Sequence, residues 1–301
     1  MASAPLLLYF DDEAAPALRL ADAGGFDAAL IERHRFPDGE FRLRLPPGLP
    51  AHTLLLRSLH QPNEKLVELL LAAQAARELG TRHLTLVAPY LAYMRQDMAF
   101  APGQAVSQRI VGRFLAGLFD AVITVDPHLH RVATLDQAVP ARQTMTLSGA
   151  PLLSDLIAER RPQALLVGPD EESAQWLSMA AARHGFDAAV CTKVRLGDHQ
   201  VAIALPVRPV AGRDIVLLDD VASTGQTLAQ AARQLLAAGA RRVDVAVTHA
   251  IFSGNALAQL QAAGVGEVWS TDCIAHPSNC VSMASALAQA ARGVLAQPVR
   301  P

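Results

Sequence analysis

The stretch Ile215-Val-Leu-Leu-Asp-Asp-Val-Ala-Ser-Thr-Gly-Gln-Thr-Leu228 decides the fold of this chain. Its branched apolar residues predict a buried strand, and the hydroxyl- and glycine-containing loop after them leads into a stretch of helical period. A strand, a short loop and a helix in this order form one β-α unit. The segment therefore predicts a parallel sheet with polar residues at the carboxyl end of the strand.

The same alternation continues along the chain and predicts an α/β protein. Several of the helical stretches end at a glycine in the position expected after a helix. The predicted strands are Pro5–Phe10, Thr53–Arg57, Leu84–Ala88, Ala121–Val125, Ala164–Gly168, Ala188–Cys191, Asp214–Leu218, Val243–Thr248 and Glu267–Ser270. The predicted helices are Asn63–Leu79, Val106–Leu118, Ala174–His184, Leu228–Ala238 and Ala256–Ala263.

A length of 301 residues allows two domains with separate cores. The segments LTLVAPY and AVITVDPH in the first half resemble ALLVGPD and IVLLDDV in the second. We therefore expect two similar doubly wound parallel-sheet domains, at 1–145 and 146–301, with the boundary in the poorly periodic stretch around Val139–Ala150. A C-terminal helix around Met283–Leu295 can pack on either domain.

Composition excludes several classes of protein. The three cysteines have no C-x-x-C spacing, which fits neither a disulfide framework nor a thiolate zinc site. A formal net charge of −2 is too balanced for a broad nucleic-acid-binding face. No apolar run is long enough to span a bilayer, and the N-terminus resembles a first strand more than a signal peptide. We expect a cytoplasmic protein with no nucleic-acid or membrane partner.

The loop after the two acidic residues has the features of a phosphate site. Gly225 permits a turn with positive φ, and the helix start that follows presents N–H groups and a positive dipole end. Ser223, Thr224 and Thr227 add hydroxyl donors. Thr227 and Gln230 also match a capping box, which predicts Thr227 as the N-cap of the helix. A solvated turn is the alternative for the acidic pair.

These residues together resemble the phosphoribosyl-binding superfamily. The resemblance implies that the acidic pair holds the ribose hydroxyls and the loop holds the 5-phosphate. The residues implied are Asp219, Asp220, Ala222, Ser223, Thr224, Gly225, Gln226 and Thr227. Two classes share this loop: phosphoribosyltransferases, which consume phosphoribosyl pyrophosphate, and ribose-phosphate pyrophosphokinases, which make it.

Three segments of the first half are similar to the ATP-side motifs of the pyrophosphokinases. They are Phe36-Pro-Asp-Gly-Glu40, Pro89-Tyr-Leu-Ala-Tyr-Met-Arg-Gln-Asp97 and Thr124-Val-Asp-Pro-His-Leu-His-Arg131. The resemblance implies ATP contacts from Phe36, Asp38 and Glu40, supplied to a neighbouring subunit, and from Arg95, Gln96, Asp97 and His128. Taken singly, the segments also fit an ordinary Pro-Asp-Gly turn, a surface Arg–Asp pair and a structural histidine.

Two segments of the second half complete the resemblance. In Gly168-Pro-Asp170, the aspartate matches a magnesium-binding residue, with His128 as its companion at the metal. Lys193-Val-Arg195 matches the catalytic K-x-R at the base of a loop, although a solvated strand edge is the alternative. Met98 and the Glu172-Ser173 pair depart from the common pattern and indicate a divergent branch of the family.

The resemblance implies two domains of phosphoribosyltransferase type and a homo-oligomer built from dimers. It also implies Mg²⁺-dependent transfer of diphosphate from ATP to ribose 5-phosphate. A phosphoribosyltransferase and a noncatalytic synthetase-associated subunit are the alternatives. We further expect Lys65 on an exposed helical face, with no part in catalysis.

Overall fold

The computed structural model of the protein describes residues 5–129, 131–195, 201–204 and 208–296. Its contacts divide the chain into two units, Met1–Leu147 with Met283–Pro301, and Ser148–Ser282. Each unit contains a six-stranded sheet in which every pair of neighbouring strands is parallel. The predicted α/β class with two doubly wound sheets is confirmed.

The first unit has strand order β2-β1-β5-β6-β7-β8, and an antiparallel β3–β4 hairpin stands apart from the sheet. Its central strands are buried along nearly their whole length, as expected when helices cover both faces of a parallel sheet. The strands are β1 Leu6–Tyr9, β2 Asp27–Leu30, β3 Glu32–Arg35, β4 Phe41–Arg44, β5 His52–Leu56, β6 His83–Ala88, β7 Ala121–Val125 and β8 Gln143–Leu147. The helices are α1 Ala14–Gly24, α2 Pro62–Glu78, α3 Ser107–Leu118 and α4 Leu135–Ala138.

The second unit has strand order β10-β9-β13-β14-β15-β16, and an antiparallel β11–β12 hairpin stands apart in the same way. Its strands are β9 Leu165–Gly168, β10 Ala188–Val190, β11 Thr192–Arg195, β12 Val201–Ala204, β13 Asp214–Ala222, β14 Arg242–Ala250, β15 Val268–Thr271 and β16 Asn279–Val281. Its helices are α5 Ala150–Arg160, α6 Ala174–His184, α7 Gln226–Ala237 and α8 Ala256–Ala262.

The two sheets therefore have the same topology. In the first unit, β1 is followed by the edge strand β2, then by the β3–β4 hairpin, and then by β5 on the other side of β1. In the second unit, β9, β10, the β11–β12 hairpin and β13 follow the same path. The strand order reverses between β1 and β5 in the first unit and between β9 and β13 in the second. Open α/β sheets bind ligands at the carboxyl ends of the strands beside such a switch point.

The C-terminal helix α9, Ala284–Ala296, belongs to the first unit. It packs on α1, and the Arg292 guanidinium donates a hydrogen bond to the carbonyl of Ala23 at 2.9 Å. In the second unit, α5 packs on α6 in the corresponding way. Helix α9 thus takes the place in the first unit that α5 takes in the second.

Two details differ from the expectations. Strand β13 continues to Ala222 instead of ending at Leu218, because its partner β14 extends as far as Ala250 and the ladder goes on past the acidic pair. Helix α7 begins at Gln226, and its N-cap is Gly225 at φ 72° without a side-chain cap. The capping-box prediction for Thr227 is therefore wrong, since Thr227 lies inside the first turn. No helix in the described ranges is long and apolar enough to cross a bilayer.

Candidate functional site

The acidic pair of the second unit lies within β13, at the switch point. Asp220 is buried and Asp219 is partly exposed. The Asp219 carboxylate accepts a hydrogen bond from the Asp220 N–H at 3.0 Å. Burial raises the pKa of Asp219 well above its ordinary value of 3.8, and the negative charges of Asp220 and Asp170 raise it further. A ligand that donates hydrogen bonds or brings positive charge would relieve this repulsion.

Asp170 follows β9, on the other side of the switch point. Its carboxylate caps the short helical turn Glu171–Ser173 by accepting from the Glu172 N–H at 3.1 Å. The Ser173 hydroxyl donates to the Asp170 carbonyl at 2.5 Å. A Cβ at Gly168 would overlap that hydroxyl, so a larger residue there would displace the hydroxyl from this bond. The strand-to-helix turn is therefore held by local bonds, and it brings Asp170 close enough to affect Asp219.

Backbone hydrogen bonds from the chain after β14 hold the predicted phosphate loop in place. The N–H of Phe252 donates to the Ala222 carbonyl, and the N–H of Ser253 donates to the Ser223 carbonyl, both at 2.9 Å. Gly225 then reverses the chain, and the first N–H groups of α7 have no acceptor within the helix. A rigid loop that ends in a helix N-terminus is a suitable site for a phosphate group.

The β11–β12 hairpin carries the predicted catalytic cations. Lys193 is in register with Ile203, and Arg195 with Val201. Their side chains lie outside the described part of the structure. After the hairpin, Arg208 and Arg213 each bond the Asp187 carboxylate, at 2.9 and 3.0 Å, before the chain enters β13.

In the first unit, the predicted ATP-side loop 36–40 forms the tip of the β3–β4 hairpin. The Phe36 N–H donates to the Glu40 carbonyl at 2.8 Å, and the Glu40 N–H donates to the Asp38 carboxylate at 3.2 Å. Gly39 has φ 96°, which the turn needs. The tip therefore is the Pro-Asp-Gly turn that the sequence also suggested, and it leaves Phe36 exposed.

Asp97 links two of the predicted ATP-side segments. Its buried carboxylate bonds Arg131, accepting from the guanidinium at 2.6 Å and from the backbone N–H at 3.2 Å. The Gln96 side chain accepts from the Ser107 hydroxyl at 2.9 Å. The structure thus brings the 95–97 segment to the loop that carries His128. Arg95 is exposed and His128 partly exposed. Asp97 therefore holds these two segments together.

The switch point of the first unit contains a buried charge cluster. Arg57, which follows β5, bonds Asp12 at 2.7 Å and Glu68 at 2.5 Å, and lies 3.3 Å from Glu13. Burial raises the pKa of Glu13, although Arg57 and Lys65 act in the opposite direction. The carboxylates at this switch point are therefore paired with cations of the same unit.

Lys65 belongs to this cluster, so its predicted exposure is wrong. It is buried, and its ammonium donates to the Ser58 carbonyl at 2.6 Å. The ammonium also lies 3.3 Å from the His60 ring. Burial, with the positive charges of Lys65 and Arg57, lowers the pKa of His60 to about 4. The helical pattern of α2 could not reveal this environment, because it depends on residues that follow β1 and β5.

Comparison with known proteins identifies the family. The family model described as the N-terminal domain of ribose phosphate pyrophosphokinase matches residues 8–118, and that of the phosphoribosyl synthetase-associated domain matches residues 189–292. A ribose-phosphate pyrophosphokinase from Methanopyrus kandleri is 37% identical over 90% of this chain and 93% of its own length. The chain belongs to the ribose-phosphate pyrophosphokinase family. A relative from Methanosarcina acetivorans is 33% identical over 91% of this chain and 94% of its own.

The fold is also that of a solved structure of this family. A phosphoribosylpyrophosphate synthetase from Mycobacterium smegmatis superposes with a TM-score of 0.84, at 24% identity, over 97% of this chain and 99% of its own. The prediction of the pyrophosphokinase family is confirmed. The individual site residues remain predictions.

Sequence reasoning missed contacts that hold the predicted site segments in place. Ser253 contacts the predicted phosphate loop from the chain after β14, and Glu68 bonds Arg33, three residues before the predicted ATP-side loop. Arg131 lies in a predicted segment but was given no role, and it bonds Asp97. The hydrogen bond between Arg131 and Asp97 joins residues 34 positions apart, and no local sequence pattern predicts such a contact.

Proposed function

We propose that this protein transfers the terminal diphosphate of ATP to O1 of ribose 5-phosphate, forming phosphoribosyl pyrophosphate and AMP. The observation that carries the proposal is the similarity to ribose-phosphate pyrophosphokinases over 90% of the chain. The acidic switch point and the phosphate loop of the second unit give this similarity a chemical basis.

Ribose 5-phosphate would bind at the second switch point. Asp219 and Asp220 would accept hydrogen bonds from the ribose hydroxyls, which relieves the repulsion that raises the pKa of Asp219. The N–H groups and hydroxyls of residues 222–227 would hold the 5-phosphate. Because β14 and its following loop fix the loop before ligand arrives, little ordering would be required on binding.

ATP would be held by the predicted residues of the first unit. The O1 hydroxyl attacks the β-phosphorus, the bond from that phosphorus to the oxygen of the α-phosphate breaks, and AMP leaves. The hydroxyl proton passes to solvent, and we assign no general base. Lys193 and Arg195 would neutralise the charge that redistributes over the transferring group. Positioning and charge compensation would supply most of the rate enhancement.

We propose Mg²⁺ as the metal, with Asp170 as its predicted holder in the second unit. Asp170 fits this task, since carboxylate oxygens suit Mg²⁺. The nitrogen of His128 is a softer donor and suits a phosphate hydrogen bond better. Within the described ranges, no group of three or more His, Cys, Asp or Glu side chains is placed to hold a metal ion. Phosphate oxygens and water would therefore complete the coordination. Mg²⁺ supplies neutralisation of the triphosphate charge.

We further propose that the active form is a homo-oligomer built from dimers in the cytoplasm, where ATP is available. The hairpin tip and α2 form a groove of about 490 Å³, lined by Gly39, Glu40, Phe41, Asn63, Glu64, Val67 and Leu71. Val67 on this face is 48% exposed and Phe36 is 38% exposed. A second copy that covers this face would bring the hairpin tip to another subunit's nucleotide site.

An assay for AMP tests the proposed reaction. Purified protein with ATP and Mg²⁺ should release AMP only when ribose 5-phosphate is present, and phosphoribosyl pyrophosphate should form in equal amount. A phosphoribosyltransferase would release pyrophosphate from phosphoribosyl pyrophosphate and a nucleobase. A noncatalytic subunit would do neither alone. Either of the last two results would reject the proposal.

A further inference from the structure

The β3–β4 hairpin is fastened to helix α2 by two arginine–glutamate pairs. The guanidinium of Arg33 bonds Glu68, and that of Arg35 bonds Glu64. Arg33 also bonds Asp11 at 2.9 Å. We call the Arg33–Glu68 and Arg35–Glu64 pairs the hairpin clamp.

The geometry of the clamp follows from two periodicities. Residues two apart on a strand lie on one face about 6.6 Å apart, because a strand rises ~3.3 Å per residue. Residues four apart on a helix share a face and lie about 6 Å apart along its axis. The spacing of Arg33 and Arg35 therefore matches that of Glu68 and Glu64. Strand β3 runs antiparallel to α2, and both pairs form together.

The two pairs differ in how firmly they are held. In the outer pair, Arg35 and Glu64 have side chains that are 54% and 62% exposed. In the inner pair, the Glu68 side chain is 1% exposed, and its second oxygen bonds the buried Arg57. Glu68 thus connects the hairpin to the charge cluster at the first switch point.

The clamp determines which side of the hairpin faces outward. Because strand residues alternate, His34 and Phe36 lie on the face opposite Arg33 and Arg35. Their rings are in edge contact, with centroids 4.8 Å apart. Arg35 directly precedes Phe36, so the outer pair lies one residue from the tip. Loss of the clamp would free the hairpin to turn and would move Phe36.

We propose that Glu68 is a positioning residue for ATP, acting through Arg33 to orient the hairpin tip. This inference rests on the proposed role of Phe36, Asp38 and Glu40 at an ATP site. The charge cluster at the first switch point is then the fixed base of a nucleotide-binding element.

Steady-state kinetics of Arg33→Gln test the inference. This variant removes the inner pair of the clamp and keeps the Arg57–Glu68 bond. We expect a loss in kcat/KM for ATP of roughly tenfold to a hundredfold, since a small misplacement of a binding group has effects of this size. The loss should lie mainly in KM for ATP, with KM for ribose 5-phosphate changed less than twofold. Arg33→Lys should recover most of the ATP affinity, and Glu64→Gln, in the exposed outer pair, should have an effect under about twofold.

Asp244→Asn is the matched control for the companion variant Glu68→Gln. Asp244 is buried in the second unit and bonds two arginines, Arg161 at 2.7 Å and Arg242 at 3.0 Å. Both variants should lose stability, but only Glu68→Gln should raise KM for ATP. An equal rise in both would reduce Glu68 to a structural role and overturn the inference.

Phe36→Ala separates this inference from the proposed function. If Phe36→Ala raises KM for ATP and Arg33→Gln does not, the clamp does not position the tip and the inference fails. If Phe36→Ala leaves KM for ATP unchanged while the AMP assay succeeds, the hairpin has no role in ATP binding. The inference about Glu68 then fails, and the proposed reaction stands.

Discussion

The two units have sheets of the same strand order, and both have carboxylates at the switch point. This point lies between β1 and β5 in the first unit and between β9 and β13 in the second. In the first, Arg57 and Lys65 lie among Asp12, Glu13 and Glu68. In the second, burial and the charges of neighbouring carboxylates raise the pKa of Asp219. The same topology thus contains a self-neutralised crevice in one unit and a strained acidic crevice in the other.

The hairpins extend this contrast. In β3, the cations Arg33 and Arg35 are bound by glutamates of α2, so they serve to hold the hairpin. In β11, Lys193 and Arg195 occupy the corresponding hairpin and are predicted to meet substrate. Equivalent positions of the two hairpins thus carry cations with different tasks. Those of β3 hold the hairpin in place, and those of β11 are predicted to take part in the reaction. The charge partners around each position decide between the two.

The largest effect is expected from Arg57→Met, which removes the central cation of the first crevice. Glu13 would then stay buried without its main partner, and Glu68 would keep only Arg33. Breaking a buried ion pair from one side costs about 3–5 kcal/mol in the free energy of unfolding. Denaturant unfolding at neutral pH would measure it.

Arg241→Met is the control for this measurement. Arg241 bonds Asp214 at the surface, where solvent screens the two charges, so we expect a much smaller loss of stability. If Arg57→Met loses no more than this control, the first crevice is not held by its charges and the contrast fails.

Lys193→Ala should lower turnover by roughly a hundredfold, the size seen when one preorganised transition-state donor is deleted. The Michaelis constants should change little, because the interaction forms mainly in the transition state. Stability should also be nearly unchanged. Lys65 cannot serve as the control, since it is buried in the charge cluster.

Arg183→Ala is a better control, since Arg183 pairs with Asp155 on an exposed helical surface. Near-normal turnover in Lys193→Ala would remove this lysine from the mechanism. A rise in the Michaelis constant for ribose 5-phosphate alone would reassign it to substrate binding.

Asp219→Asn should abolish most activity yet stabilise the protein at neutral pH, by roughly 0.5–2 kcal/mol, as stabilising substitutions at functional sites often do. The folded state raises the pKa of Asp219 above 3.8. Its stability contribution is therefore complete below that value and is lost as the pH rises through the folded pKa. The gain in Asp219→Asn should be absent at low pH and appear as the pH increases.

Asp214→Asn should show the opposite sign. The hydrogen bond from Arg241 lowers the pKa of Asp214, so its contribution is present above 3.8 and is lost as the pH falls through the folded pKa. Thermal melts of both variants across pH would measure the difference. If Asp219→Asn destabilises the protein at neutral pH, the second crevice is not strained.

Much of the fold was predictable because its rules are local. Apolar runs predicted the central strands, because buried strands require apolar residues. Glycines predicted several helix ends, because the positive φ after a helix favours glycine. Strand β2 and the β3–β4 hairpin are mostly exposed, lack such runs and were missed. The N-cap of α7 was wrong because two local signals competed, and Gly225 took the position that the capping box assigned to Thr227.

The sequence by itself determined the α/β class, the two sheets and the family, because periodicity and closely spaced motifs act over a few residues. Only the tertiary structure decided that Lys65 is buried, that Asp97 bonds Arg131, and that Glu68 joins the hairpin to Arg57. The electrostatic surroundings of a charged side chain depend on partners from distant segments. Those partners meet only when the strands assemble into a sheet.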